Sequence, residues 1–386
     1  MAINSTSSKL NMFTRFKYWR LLSIGVLGMM LAACGGNDGG SPPPVSSSSS
    51  SMVSSSASSS SSSSVSSSSS SSSITLQQRT DAATQTAQNN SQCTAIQPFY
   101  WEIGDHSSML AGATAGNNAT SPDATTEMLI ASASKWIFGA YVLQLHQGNL
   151  TANDLAALTM NAGYTNFTYG SCIKLLRSSQ DAETVHECFT AASSNGGNNN
   201  DHDANADGKY FYNGGQFQWL ADTDLGLGAD NNSALHDAVA AQLGSGFNFT
   251  YDSPQLAAGI KTSAQDYAFF LREILNDQLL MHDALGTHAV CTNPLTCNTA
   301  LSTPIPSNES WHYSIAHWVE DDPLVGDGTF SSPGAFGFYP WIDASKTYYG
   351  ILARYNIISV TGDTVGVDSV QCGRLIRKAW MTGVMQ

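Results

Sequence analysis

The stretch "EMLIASASKWIFGAYVLQLHQG", Glu127 to Gly148, is apolar along most of its length and carries a single cation, Lys135, three residues after Ser132. Met128, Leu129, Ile130, Trp136, Ile137, Phe138, Val142 and Leu143 leave no polar face, so the spacing predicts a helix from about Thr126 to Gln147, stopped by Gly148 and running through the core. At i and i+3, Ser132 and Lys135 share one side of it near its N-terminus. Burial disfavours the charged form of a lysine, and a neutral amine beside a hydroxyl can take its proton and turn it into a nucleophile. The same four-residue pattern recurs in "SCIK", Ser171 to Lys174, but there polar residues and cysteines surround it, which points to a surface lysine in water.

Working outward, residues 1–33 do not belong to a folded core. They hold Lys9, Arg15, Lys17 and Arg20, no acid, and a short apolar run ending in "LAAC". This is the pattern of an export signal, too short to span a bilayer as a helix. "LAAC" resembles the bacterial lipobox, which makes Cys34 the lipidated first residue of the mature chain and the membrane its partner; an ordinary cleaved signal is the alternative. Gly35, where an Asp would retain the lipoprotein in the inner membrane, favours the outer membrane. Residues 34–73 are mostly serine and cannot offset ordering entropy by burial, so they read as a flexible tether. Residues 74–386 remain as one domain, expected to act as a monomer.

The net charge of −14 argues against nucleic acid, and losing the four cations of residues 1–33 makes the mature chain more acidic still. Six cysteines remain after Cys34. Six allow many pairings; the near pairs Cys172 with Cys188 and Cys291 with Cys297 are the simplest choice, leaving Cys93 with Cys372 to join the two ends of the domain.

Thr75 with Gln78 and Thr151 with Asp154 have capping-box spacing and predict helix starts. "IQPFYWEIGDHSSMLAGATAG" predicts a hairpin, residues 150–285 a mostly helical segment, "WHYSIAHWVE", "GAFGFYPWID" and "TYYGILARYN" strands, and "DSVQCGRLIRKAWMTGV" a terminal helix. This is an α+β plan with an antiparallel sheet, packed by its terminal helices and carrying a helical insertion.

The order of these segments resembles the serine β-lactamase-like family, which includes penicillin-binding DD-peptidases, class C β-lactamases and related esterases and amidases. The resemblance runs from about residue 75 to the end. Ser132 and Lys135 stand as its S-x-x-K motif, "GNLTANDL" is similar to the segment that follows, and "DSPQLAAGIKTSAQDYAFFLREIL", Asp252 to Leu275, is similar to a later passage. The family's Y-x-N motif falls on "FYNGG", Phe211 to Gly215, with Asn213 and Gly215 in register. Phe211 takes the tyrosine's place, flanked by Tyr210 and Tyr212. The third motif, [K/H]-x-G, falls on "SSPGAFGFYPWID", with Gly334 and Gly337 in register and Ser332 in place of the cation.

The resemblance implies an acyl-enzyme on Ser132, with Lys135 as base and Asn213 holding lysine and substrate. Tyr212, Ser332 and Gly334 would lie at the substrate, and N–H groups of Ser132 and of a residue after Gly334 would bind the oxyanion. Without the cation, a neutral ester or amide fits better than a substrate bearing a carboxylate. A β-lactamase or DD-peptidase, or a binding lipoprotein without turnover, are the alternatives. No cofactor is implied. Asp203, Asn205 and Asp207 follow the start of a calcium loop, but position twelve is Gly214 rather than Glu, which favours a solvated polar loop.

Overall fold

The computed structural model describes residues 73–386 except 119, 173–181 and 358–363. Residues 1–33, Cys34, all but the last residue of the serine tract, and Lys174 lie outside the described residues. Helix α1 (Leu76–Asn89) and the short α2 (Ser91–Thr94) lead into the hairpin β1 (Phe99–Asp105) and β2 (Met109–Ala115). The two-residue β3 (Met128–Leu129) precedes α3 (Ser134–Leu145), followed by α4 (Ala152–Leu158), α5 (Val185–Thr190), β4 (Tyr210–Phe211), α6 (Gly215–Thr223) and α7 (Asn232–Leu243). Next come β5 (Thr250–Tyr251), β6 (Ile260–Thr262), α8 (Ala264–Leu275), α9 (Met281–Ala284), β7 (Val290–Cys291) and β8 (Ala300–Ser302). The chain closes with β9 (His312–Tyr313), β10 (Trp318–Glu320), β11 (Thr329–Ser331), β12 (Tyr339–Ile342), β13 (Tyr348–Ala353) and α10 (Thr364–Thr382).

The large sheet has eight strands in the order β2-β1-β13-β12-β11-β10-β9-β7, with its pairs antiparallel. Its second and third strands, β1 and β13, join the first strands of the domain to the last, Trp101 opposite Leu352. The terminal helices are held to each other by the same logic: Arg79 Nη1 donates to Trp380 O at 2.8 Å, and Cys93 is bonded to Cys372. Cys172 is paired with Cys188 and Cys291 with Cys297, as the spacing suggests. Both capping boxes form, at Thr75 and at Thr151. No helix among the described residues is long and apolar enough to cross a membrane.

The helix expected from Thr126 is corrected in its first third. Met128 and Leu129 pair with Thr262 and Lys261 in a small sheet, and Ala131–Ala133 form a 3₁₀ turn before α3 begins at Ser134. The reason is tertiary: Ile130 N–H donates to Ile260 O at 3.1 Å, and a strand pair captures residues whose apolar character would also suit a helix. From Ser134 to Leu143 every residue is buried, as the absence of a polar face implies. Gly139 is where α3 meets the β9–β10 turn; a Cβ there would lie 2.5 Å from that of Ala316.

A buried ion network fastens α10 to the sheet. Glu320 accepts from Arg374 Nε at 3.0 Å, Arg377 Nη2 at 3.1 Å and the Tyr339 hydroxyl at 2.7 Å, and Arg377 also reaches Asp327. Arg374 continues to Glu309, which accepts the Trp311 indole N–H at 2.7 Å. Removing one member of such a network strands a buried charge, at a cost of roughly 3–5 kcal/mol.

Candidate active site

Ser132 sits half-buried on the 3₁₀ turn that opens α3. Ala131, just before it, has φ of 46°, a left-handed conformation that a non-glycine residue adopts only when its surroundings impose it. Those surroundings are explicit: Tyr267 OH donates to Ala133 O at 2.9 Å, Ser134 Oγ accepts from Ile260 N–H, and Ser332 Oγ donates to Ser132 O at 3.1 Å. A fourth support is steric. A Cβ on Gly334 would fall 2.1 Å from Ile130 O, so only glycine lets this segment lie against the turn.

Lys135 Nζ lies 2.9 Å from Ser132 Oγ and 3.0 Å from Ala257 O, with the side chain buried. Burial lowers its pKa to about 7, because no carboxylate offsets the desolvation of the ammonium. The third member of the cluster is Tyr212, whose ring is 4.8 Å from Lys135 Nζ and which lines both cavities at Ser132. Burial pushes the Tyr212 hydroxyl up to about 12, against a smaller opposing effect of Ser132 and Trp318, so it stays protonated near neutrality.

Three sequence expectations are corrected here. Phe211 and Tyr212 exchange the roles that the motif register suggests. Tyr210 and Tyr212, two residues apart on extended chain, face one side and pack on Tyr313 and Trp318, which leaves Phe211 facing away. A register shift where β4 pairs with β8 accompanies this placement. Asn213 lines the cavity but does not hold the lysine: its Nδ2 donates to Thr165 O and Phe167 O, and its Oδ1 accepts from Gly215 N–H. Ala257 O does that work instead, at the end of the "SPQLA" segment. The third correction concerns the motif after β11. Ser332 is buried and serves the Ser132 carbonyl, and the Gly334 N–H is spent on Phe338 O at 2.7 Å. The next residue, Ala335, has an N–H without an acceptor among the described residues and lines the site beside Ser132.

Two cavities meet at Ser132, sharing it with Tyr212 and Ala335. The first, of about 310 Å³, is walled by Pro304, Ile305, Trp311, Trp318, Val367 and Val370. The second, of about 330 Å³, is walled by Phe167, Tyr169, Gln255, Phe336 and Lys135. Lys135 is the sole charged side chain among the described residues lining either. Gln255 Nε2 donates to Tyr169 O at 3.2 Å, and its buried Oε1 has no partner among the described residues.

The calcium-loop candidates lie elsewhere and are otherwise engaged. Asp203 Oδ1 accepts from Asn205 N–H at 2.9 Å and caps a 3₁₀ turn, while Asp207 Oδ1 pairs with His202 Nε2 at 2.7 Å. No group of three His, Cys, Asp or Glu side chains placed to hold a metal occurs among the described residues.

Neither a protein-family model nor a curated protein sequence matches the chain. Solved structures do. An octameric penicillin-binding protein homologue from Pyrococcus abyssi is 13% identical over 75% of this chain and 74% of that one, with a TM-score of 0.53. A D-stereospecific amidohydrolase from Streptomyces sp. is 13% identical over 80% of this chain and 99% of that one, with a TM-score of 0.51. At these identities the likeness concerns the fold: the chain has the α+β fold of the serine β-lactamases and penicillin-binding proteins.

Proposed function

We propose that the chain is a serine hydrolase that cleaves a neutral ester or amide through an acyl-enzyme on Ser132. The observation that carries this reading is the contact of Lys135 Nζ with Ser132 Oγ in a site where burial favours the neutral amine. Lys135 takes the proton as Ser132 Oγ bonds to the carbonyl carbon, and the N–H groups of Ser132 and Ala335 receive the oxyanion. When the intermediate collapses, the bond to the leaving group breaks and Tyr212 gives it a proton; the Lys135 ammonium then returns one to Tyr212. Water attacks the acyl-enzyme in the second half.

Apart from the catalytic candidate Lys135, the walls of both cavities carry no charge, which supports a substrate without a carboxylate beside the reacting carbonyl and ranks esters and amides above penicillins. A binding protein without turnover is less favoured, because Tyr212 supplies the hydroxyl that Phe211 lacks. Export and lipidation at Cys34, with placement at the outer membrane, complete the proposal and rest on "LAAC" and the serine tract. The test is a fluorophosphonate probe followed by mass mapping: a single adduct on Ser132 is expected, and an unlabelled protein that turns over no ester overturns the reading.

A further inference from the structure

The two cavities that meet at Ser132 differ in chemistry. The second has Lys135, Asn213 and Gln255 in its walls, whereas no charged or amide side chain is among the described residues lining the first. Of the hydroxyls that line the first, those of Ser132 and Tyr212 belong to the reaction, and Thr303 Oγ1 accepts from Ile305 N–H at 3.3 Å. Most of the rest is hydrocarbon: Pro304 and Ile305 after β8, Trp311 before β9, Trp318 on β10, Val367 and Val370 on α10.

These walls are fixed before any ligand arrives. The loop after β8 reads "TPIPS", Thr303 to Ser307, and its two prolines lock φ on either side of Ile305 while restricting the residues before them. One end of the loop is tied where Ser302 O accepts from Tyr212 N–H at 3.1 Å. The other is tied by the buried Asn293 amide, which donates to Ser307 O at 3.1 Å and Glu309 O at 2.9 Å. Trp311 is gripped by Glu309 through its indole N–H and by the Arg374 guanidinium 4.7 Å over its ring, and Trp318 packs edge-on against Trp311 at 5.7 Å and Tyr313 at 4.8 Å. Val370 belongs to the helix that the same ion network fastens, and Ile305, Trp311, Trp318 and Val370 are all buried. Hydrocarbon that enters such a space leaves water without having to order the walls around it. A charged group would find no partner there and would lose its hydration.

We propose that the first cavity is the specificity pocket of the site and that the substrate is an ester or amide carrying an uncharged hydrocarbon group, a short alkyl chain or a single ring, which fills it. Its volume of about 310 Å³ is at the small end for a ligand site, which suits such a group better than a long lipid chain. The group stands on the acyl or the alcohol side of the carbonyl, and its chemistry is the same in both. This rests on the serine hydrolase reading and adds a separate demand, that selectivity comes from burial of hydrocarbon between Ile305, Trp311 and α10.

The experiment measures kcat/KM along two series: nitrophenyl esters from acetate to hexanoate, which vary the acyl side, and alkyl acetates from methyl to pentyl, which vary the alcohol side. One series should climb about threefold for each added methylene, close to the full worth of burying it, and that series names the side that enters. Val367→Phe, which adds bulk from α10, should reduce the ratio of longest to shortest ester about tenfold. Ile305→Ala should shift the optimum to longer chains. The two substitutions stand on different elements, so a variant that fails to fold leaves the other to decide. An ester of matched length ending in a carboxylate, the nitrophenyl half-ester of adipic acid or the acetate of 5-hydroxypentanoic acid, should react at least about a hundredfold more slowly than its uncharged counterpart. Two flat series, a climb that neither variant alters, or equal use of the carboxylate ester would overturn the proposal, while labelling of Ser132 by fluorophosphonate and turnover of nitrophenyl acetate would keep the parent reading intact. Absence of labelling and turnover in the wild type would overturn both readings together.

Discussion

Lys135 Nζ stands 2.9 Å from Ser132 Oγ at the mouth of a helix whose first ten residues, Ser134 to Leu143, are all buried. A cation is placed where its charge is least welcome, and its neutral form meets a hydroxyl. The first consequence is selective acylation. Ser132→Ala should abolish fluorophosphonate labelling, and Ser171→Ala, in the second Ser-x-x-Lys, should leave it intact; mass mapping of labelled peptides checks both. Labelling that survives at Ser132→Ala sinks the nucleophile.

The second prediction concerns pH. With Lys135 at about 7, kcat/KM should rise through a single ionisation centred near there as the ammonium loses its proton. Phe211→Tyr should leave this limb in place, since residue 211 faces away from Ser132. Stability carries the opposite mark of the same burial. Between about 7 and the ordinary lysine value of 10.5, the unfolded chain holds a proton that the folded chain lacks, so Lys135 lowers stability as pH falls through that window. Lys135→Met should be inactive yet melt at a higher temperature than wild type at pH 7, as catalytic groups held against solvation often do. A lower melting temperature in that variant would show that its hydrogen bonds outweigh its desolvation.

Substrate charge offers a third measurement. The wild type should prefer a nitrophenyl ester to a chromogenic cephalosporin, because the lining of the first cavity has no cation among the described residues. Ser302→Lys, on the wall of that cavity, should move the ratio of kcat/KM toward the cephalosporin. Ser332→Ala should instead slow both substrates several-fold, since the hydroxyl supports the Ser132 carbonyl and does not line either cavity. A wild-type preference for the cephalosporin would promote the β-lactamase alternative.

Disulfides should differ in what they contribute. Cys93 and Cys372 are 279 residues apart, whereas Cys291 and Cys297 are separated by six. If restriction of the unfolded chain dominates, opening the long loop costs about 5–6 kcal/mol and the short one about 2 kcal/mol. Urea unfolding of the paired Cys→Ser variants ranks them, and an equal or reversed order refutes the entropic account.

His317 makes the protein sensitive to acid. Its ring is buried against Trp136 at 5.5 Å, Nδ1 donates to Ile315 O at 2.7 Å and Nε2 accepts from Gly286 N–H at 3.1 Å, so both nitrogens are committed in the neutral form. Burial lowers its pKa to about 4. As pH falls from 6.5 toward 4 the unfolded chain takes up the proton first, and about 3 kcal/mol of stability should be lost over that interval. Unfolding free energies across this range, compared with those of His317→Gln, isolate the contribution; parallel curves would exclude it.

Much of this was legible from local pattern. The capping boxes at Thr75 and Thr151, the hairpin before Ser132, the buried run from Ser134 and the terminal helix all follow from periodicity and from side chains that satisfy nearby backbone groups. Ser132 and Lys135 were legible for the same reason, since three residues along one turn are neighbours whatever the rest of the chain does. The pairing of Cys93 with Cys372 also follows, once the near pairs are set aside. What only the tertiary structure decided is the set of partners that come from far along the chain. Ile260 turns Met128 and Leu129 into a strand, Ala257 O rather than Asn213 receives the lysine, and Ser332 and Gly334 support the nucleophile's backbone. Tyr212 lies between the two cases: its alternation with Tyr210 is written in the sequence, but which face looks toward Ser132 depends on Tyr313 and Trp318, about a hundred residues later. A spacing along the chain reports contacts within one element, and the sides from which other elements approach are set by packing.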